Sequence, residues 1–247
     1  MSTKALLKHA RSLQQKKFRD ESGEFLVQGP KVVGELLASG WPVTALLASA
    51  AVAARAQFAK ADVVPEHELE RIGTLESGNE LIAIARKPEL PGITDLEQDE
   101  LLLALDGITD PGNLGTVLRI ADWFGIRRVW CSAGSVDPYN PKCVQASMGA
   151  IFRVEVQHLE LSAILARQQK AGAVIYMASM EGGSVFAEHL APKAVLVMGS
   201  ESHGISPEVR KLKGTLISIP GKGGSESLNV AMATSALCME FARQRNL

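Results

Sequence analysis

The chain has 247 residues and 26.4 kDa, of which 46% are hydrophobic and 21% charged, with a formal net charge of −1 and a pI of about 6.5. This size means one large or two small domains with room for a core, and the balance excludes disordered, collagen-like and coiled-coil chains. No apolar run approaches the roughly 20 residues that cross a bilayer, and the start Met1-Ser2-Thr3-Lys4 lacks a secretory hydrophobic stretch, so a cytoplasmic protein is expected.

Residues 4–18 have helical spacing, and Lys4, Lys8, Arg11, Lys16, Lys17 and Arg19 all precede the first acidic residue, Asp20. In a chain of near-zero net charge this basic segment predicts a localised RNA-binding face, the alternative being a solvated amphipathic helix. Phe25-Leu26-Val27 reads as a strand, and Pro30 opens a helix through Val32, Val33, Leu36 and Leu37 that Gly40 stops. A strand over 43–47, an alanine-rich helix over 50–60, a strand at Val63-Val64, a helix over 66–72 and a strand over 81–85 follow. Two prolines and a glycine in residues 87–92, then an acidic stretch over 95–100, predict a first domain over 1–90 and a linker over 91–100.

The domain predicted over 101–247 opens with the apolar run Leu101-Leu102-Leu103-Ala104-Leu105, which suits a strand buried on both faces. A helix over 114–124, a strand over 128–131, a helix over 141–149, a strand over 153–156 and a helix over 161–170 come next. Strands over 173–177, 194–198 and 216–219 and a closing helix over 228–243 complete the pattern. Such alternation predicts an α/β domain with a mostly parallel sheet and ligands at the carboxyl ends of its strands. The three cysteines, Cys131, Cys143 and Cys238, are an odd set without CxxC spacing and read as buried small hydrophobes.

Three loops carry unusual chemistry. The first runs from Asp106 through Asp110-Pro111-Gly112-Asn113 to Arg119 and is neither a GxGxxG nor a Walker A loop, although its turn chemistry would also suit a simple capped helix. Arg119 follows Asn113 and Thr116 on the same helix and is expected to point back toward the loop. In the second loop, Gly199-Ser200-Glu201-Ser202-His203-Gly204, a carboxylate occupies the place a nucleophile elbow gives to serine, which argues against a serine hydrolase. The third, Ile219-Pro220-Gly221-Lys222-Gly223-Gly224-Ser225-Glu226-Ser227-Leu228-Asn229-Val230, has its lysine too early for a Walker A loop, and its glycines suit a close approach of backbone to a flat ligand. Ser227 is expected to cap the last helix, with Asn229 in its first turn.

Together, Asn113-x-Gly115-Thr116-x-x-Arg119, Leu196-x-x-Gly199-x-Glu201-x-x-Gly204 and Ile219-Pro220 with Ser227-Leu228-Asn229-Val230 resemble the three ordered motifs of the SpoU (TrmH) family of RNA 2′-O-ribose methyltransferases. The resemblance spans the chain from about Leu101 to its end, departing only in Gly221, where methionine is common, and Ala231, where serine is. It implies the SPOUT fold, with a trefoil knot that composition would not suggest, S-adenosylmethionine as cofactor, no metal, and a homodimer with active sites at the subunit interface. The first half resembles the L30e-like substrate-binding domain of many members.

By resemblance Arg119 is the catalytic arginine, with Asn113 and Glu201 positioning it and the ribose. Ser227 and Asn229 would order the third loop around the methionine part of the cofactor, while Met198, Gly199, Ile217 and Ile219 take the adenine and Leu228 flanks it. A guanidinium is a poor base at neutral pH, so the arginine either accepts the 2′-hydroxyl proton with help or holds the adjacent phosphate. Ribosomal RNA is favoured over transfer RNA as partner. A non-catalytic RNA-binding or ribosome-assembly factor is the alternative, and it would be expected to lose Arg119 or Asn229.

Overall fold

A computed structural model of the chain describes residues 3–75 and 78–245. They divide into two compact units, one formed by residues up to Glu89 together with Asp137–Phe152, the other by Leu90–Val136 with residues from Arg153 onward.

In the first unit α1 (Thr3–Ser12) and α2 (Lys16–Ser22) precede β1 (Glu24–Gln28), α3 (Pro30–Ser39), β2 (Val43–Ala48), α4 (Ala50–Ala53), β3 (Asp62–Val63), α5 (Glu66–Ile72) and β4 (Leu81–Arg86). The sheet order is β1-β4-β2-β3, with β4 antiparallel to both neighbours and β2 parallel to β3. Ala10 and Leu13 pack onto Leu26, Leu47, Ile82 and Ile84 to form its core.

The helix expected over 4–18 is two helices, because the Arg19 guanidinium donates to the carbonyls of Leu13 and Gln14, both at 2.9 Å, and Gln15 takes an extended conformation. The expected alanine-rich helix stops at Ala53, and a 3-10 turn at Ala56–Phe58 drives Phe58 to full burial. There the burial of one aromatic ring outweighs the helical preference of several alanines, each worth a fraction of a kcal/mol.

Residues 137–152, counted with the second half by sequence order, pack within the first unit instead. The Tyr139 ring lies 4.8 Å from that of Phe25 in a tilted contact, Phe152 lies 5.4 Å from Trp41, and the Asp137 carboxylate accepts from Arg19 at 2.7 and 2.9 Å.

The second unit contains β5 (Leu101–Asp106), α6 (Pro111–Trp123) and β6 (Arg128–Ser132), after which α7 (Pro141–Ser147) belongs to the excursion into the first unit. The chain returns as β7 (Glu155–Leu159), α8 (Leu161–Lys170), β8 (Val174–Ser184), β9 (Ala194–Gly199), α9 (Pro207–Arg210), β10 (Thr215–Ser218) and α10 (Val230–Gln244). Its six strands are all parallel in the order β10-β8-β9-β5-β6-β7, and β5 is buried along its whole length.

The acidic stretch expected to be part of a linker packs on this sheet. Leu96 is in the core with its amide on Gln168 Oε1 at 3.0 Å, and Glu100 pairs with Arg128 at 2.6 Å. Because β5 lies beside β9 with Asp106 opposite Gly199, the first and second loops leave the sheet as neighbours.

Candidate functional site

The first loop turns at Gly107 (φ +73°), and helix α6 then starts at Pro111, three residues earlier than expected. Asp110 caps it by accepting from the Asn113 amide at 2.8 Å, so Asn113 sits in the first turn of the helix. The Asp106 carboxylate accepts from the Ser206 amide at 2.8 Å and ties the first loop to the second.

The second loop is a closed turn, with Ser200 and Gly204 exchanging backbone hydrogen bonds at 3.1 and 2.9 Å. A Cβ at Gly199 would come within 2.2 Å of the Gly204 carbonyl carbon, so only glycine permits this turn. It lifts Glu201 out of the strand end. Ser200 Oγ accepts from the backbone amide of His203, and no serine–histidine side-chain bond forms here among the described residues.

In the third loop Asn229, not Ser227, caps the last helix, its Oδ1 accepting from the amides of Ala231 and Met232 at 3.0 and 3.3 Å. The asparagine side chain is short enough to cap and still turn its Nδ2 outward, where it donates to Glu201 Oε1 at 2.8 Å and Asn113 Oδ1 at 3.0 Å. Asn113 Nδ2 and the Val230 amide also donate to Glu201 Oε1, at 3.3 and 3.1 Å. One carboxylate oxygen therefore collects donors from both other motifs.

Arg119 is exposed and has no hydrogen bond or ion pair among the described residues, so the structure does not join it to Asn113 or Glu201.

A cleft of about 600 Å³ opens beside this cluster. Met198, Gly199, Ile217, Ile219, Ser227 and Leu228 line it, while Asn229 stands at its edge between Leu228 and Val230, two of its lining residues. One wall of the cleft was not expected from the sequence. Strand β8, expected to end at Met177, leaves β9 there and continues along β10, bringing Ala178, Ser179, Met180 and Glu181 into the lining, with Arg210 of α9 nearby. A Cβ at Gly182 would meet the Ile217 amide nitrogen at 2.5 Å, and the small-residue run Gly182-Gly183-Ser184 was the available signal for this close approach.

Of the expected RNA-binding residues, Lys4, Lys8 and Arg11 are exposed on α1 at helical spacing. Lys16 and Lys17 are exposed but pair with Asp20 and Glu21. Arg19 is only 1% exposed and is spent on Asp137 and two carbonyls, so it is a structural residue and not a phosphate contact. Among the described residues no group of three or more His, Cys, Asp or Glu side chains could hold a metal ion.

Residues 100–239 match the model of the SpoU rRNA methylase family, and residues 4–87 match an MRM3-like substrate-binding domain. A 23S rRNA (uridine(2479)-2′-O)-methyltransferase of Streptomyces viridochromogenes is 29% identical over 92% of this chain and 85% of its own. Among solved structures, a TrmH-family protein from Porphyromonas gingivalis shares 41% identity over 99% of each chain with a TM-score of 0.86. The SpoU methyltransferase AviRb from Streptomyces viridochromogenes, solved with AdoMet, shares 26% identity over 98% of each chain with a TM-score of 0.87.

Proposed function

The chain belongs to the SpoU rRNA methylase family, and on that premise we propose that it transfers a methyl group from S-adenosylmethionine to a ribose 2′-hydroxyl of RNA, ribosomal RNA before transfer RNA. The observation that carries this reading is the convergence of Asn113 and Asn229, from the first and third motifs, on one carboxylate oxygen of Glu201, from the second, at the rim of the cleft.

The cleft fits the cofactor. Its volume of about 600 Å³ is in the range of small-molecule sites, roughly 300–1,000 Å³. Met198, Ile217, Ile219 and Leu228 offer apolar faces for a flat base, and the tight turn at Gly199 leaves backbone groups within reach of its edges. When bound, the sulfonium supplies an electrophilic methyl group.

The residues of the chain do the rest. Glu201, fixed by three N–H donors, holds the second and third loops against α6 so that the cleft and the substrate side keep one geometry. Asn113, Thr116 and Arg119 follow one another at three-residue intervals along α6. Arg119, without a carboxylate partner among the described residues, is available to an RNA phosphate and orients the neighbouring 2′-hydroxyl toward the methyl carbon.

A homodimer belongs to the same proposal. The outward stripe of α10 is Met232, Ala236 and Met239, and that of α6, packed beside it, is Thr116, Arg119 and Trp123. Trp123 is 83% exposed, Met232 68% and Met239 63%, an apolar face that a second copy would cover, leaving Arg119 open to RNA at the subunit boundary. The first unit is assigned RNA capture through Lys4, Lys8 and Arg11. The trefoil threading of the C-terminal segment and a cytoplasmic location complete the reading.

Mapping ribose methylation in ribosomal and transfer RNA from cells with and without the gene tests it. The expected result is loss of one 2′-O-methyl site in ribosomal RNA that returns with the unaltered gene but not with Arg119→Ala. An unchanged map would overturn it.

A further inference from the structure

Two charged residues outside all three motifs face the cleft. Arg210, at the end of α9, lies 3.6 Å from Glu181 on the extension of β8, and its guanidinium donates to Ser179 Oγ at 3.5 Å. All three side chains belong to the cleft lining. The extension bulges between its pairings with β10 at Met177 and Gly183, and Gly182 lets its backbone press against Ile217, which sets Glu181 on the cleft side of the bulge.

Resting on the methyltransferase reading, we infer that Arg210 and Glu181 form the subsite for the amino-acid end of the cofactor, Arg210 taking the α-carboxylate and Glu181 the α-ammonium. A zwitterion entering a cleft with apolar walls needs ionic partners, because unpaired charges are costly to remove from water. Among the described residues lining the cleft the charged ones are Glu181, Glu201 and Arg210, and Glu201 Oε1 already holds Asn113, Asn229 and Val230. Arg210 is therefore the one cation of that lining that can meet a carboxylate, and its planar fork suits two-pronged binding. Its existing pair with Glu181 is long and solvent-exposed, with side chains 42% and 78% accessible. Such a pair contributes little to the fold, so the two groups can part to admit a ligand carrying the opposite charges.

The test is calorimetric titration of the full-length protein with S-adenosylhomocysteine and with 5′-methylthioadenosine, which has the same nucleoside and thioether but no amino-acid end. Losing charge-assisted hydrogen bonds is expected to weaken S-adenosylhomocysteine by about ten-fold or more in Arg210→Gln. The same variant should bind 5′-methylthioadenosine as the unaltered protein does, which also shows that the cleft is intact. Arg210→Lys should recover part of the loss, and Glu181→Gln should weaken the first ligand without affecting the second. Equal losses for both ligands, or no loss for either, would overturn the subsite. Failure of the unaltered protein to bind either ligand would instead overturn the methyltransferase reading, and the subsite with it.

Discussion

Asn229 Nδ2 lies 2.8 Å from Glu201 Oε1, and that contact joins two loops 28 residues apart in the sequence. Asn229 also caps α10, so one side chain sets both where the last helix begins and where the carboxylate rests. Glu201→Ala removes the acceptor for Asn113, Asn229 and the Val230 amide at once. Methyl transfer should fall at least about a hundred-fold, given that hydrogen bonds to a charged group are worth about 1.5–3 kcal/mol each. In single-turnover kinetics, Asn113→Ala combined with Asn229→Ala should cost less than the two single losses added together, because they share one acceptor. Strict additivity would show that the cluster does not work as a unit.

Arg119→Ala should abolish transfer while leaving cofactor affinity within a few-fold and thermal stability nearly unchanged. The side chain is exposed and has no partner among the described residues to lose, and such surface substitutions usually shift stability by no more than about 0.5 kcal/mol. A collapse of cofactor binding, read by calorimetry with normal RNA binding, would place Arg119 on the cofactor side.

Arg19 is buried against Asp137 and two carbonyls. Arg19→Met should therefore destabilise the protein by about 3–5 kcal/mol, the cost of leaving a buried partner charge uncompensated. By the same logic a fragment beginning at residue 90 leaves Tyr139 and Phe152 without Phe25 and Trp41. It should bind a hydrophobic dye and melt earlier than the whole protein. A fragment as stable as the whole would show that 137–152 refolds without these partners.

Replacing Lys4, Lys8 and Arg11 together by Glu should weaken RNA binding. Three lost phosphate contacts should also flatten the slope of log affinity against log salt by about 2–3. Lys16 and Lys17 already pair with Asp20 and Glu21, so their replacement should flatten it less. An unchanged slope would mean that RNA enters elsewhere.

Cys131, Cys143 and Cys238 are buried, and burial pushes the thiols of Cys131 and Cys238 up to about 12. The thiolate is the reactive form. At pH 8 a thiol reagent should label none of the three in the native protein and all three in denaturant. Rapid native labelling would contradict this packing.

Local chemistry announced much of this molecule. The run 101–105 becomes β5, and helices α5 and α8 have the bounds that their periodicity predicts. Asn113, Glu201 and Asn229 stood out because polar residues at strand and helix ends are exposed to ligands. Their roles came from resemblance, and their mutual contact came from neither. Arg210 and Glu181 carried no signal at all, since one charged residue on a short helix and another on a strand look like ordinary surface.

The amino-acid pattern by itself determined the alternation of strands and helices, the glycine stop of α3 at Gly40 and the three loops at strand ends, because each depends on residues within a few positions of one another. Tertiary structure decided what depends on distant partners. It buried Arg19 on Asp137, 118 residues away, took 137–152 into the first unit, carried β8 past Met177 onto β10, and gathered three motifs on Glu201. A charged side chain is solvated or buried according to whether an opposite charge and free carbonyls meet it in space, and spacing along the chain contains no measure of that distance.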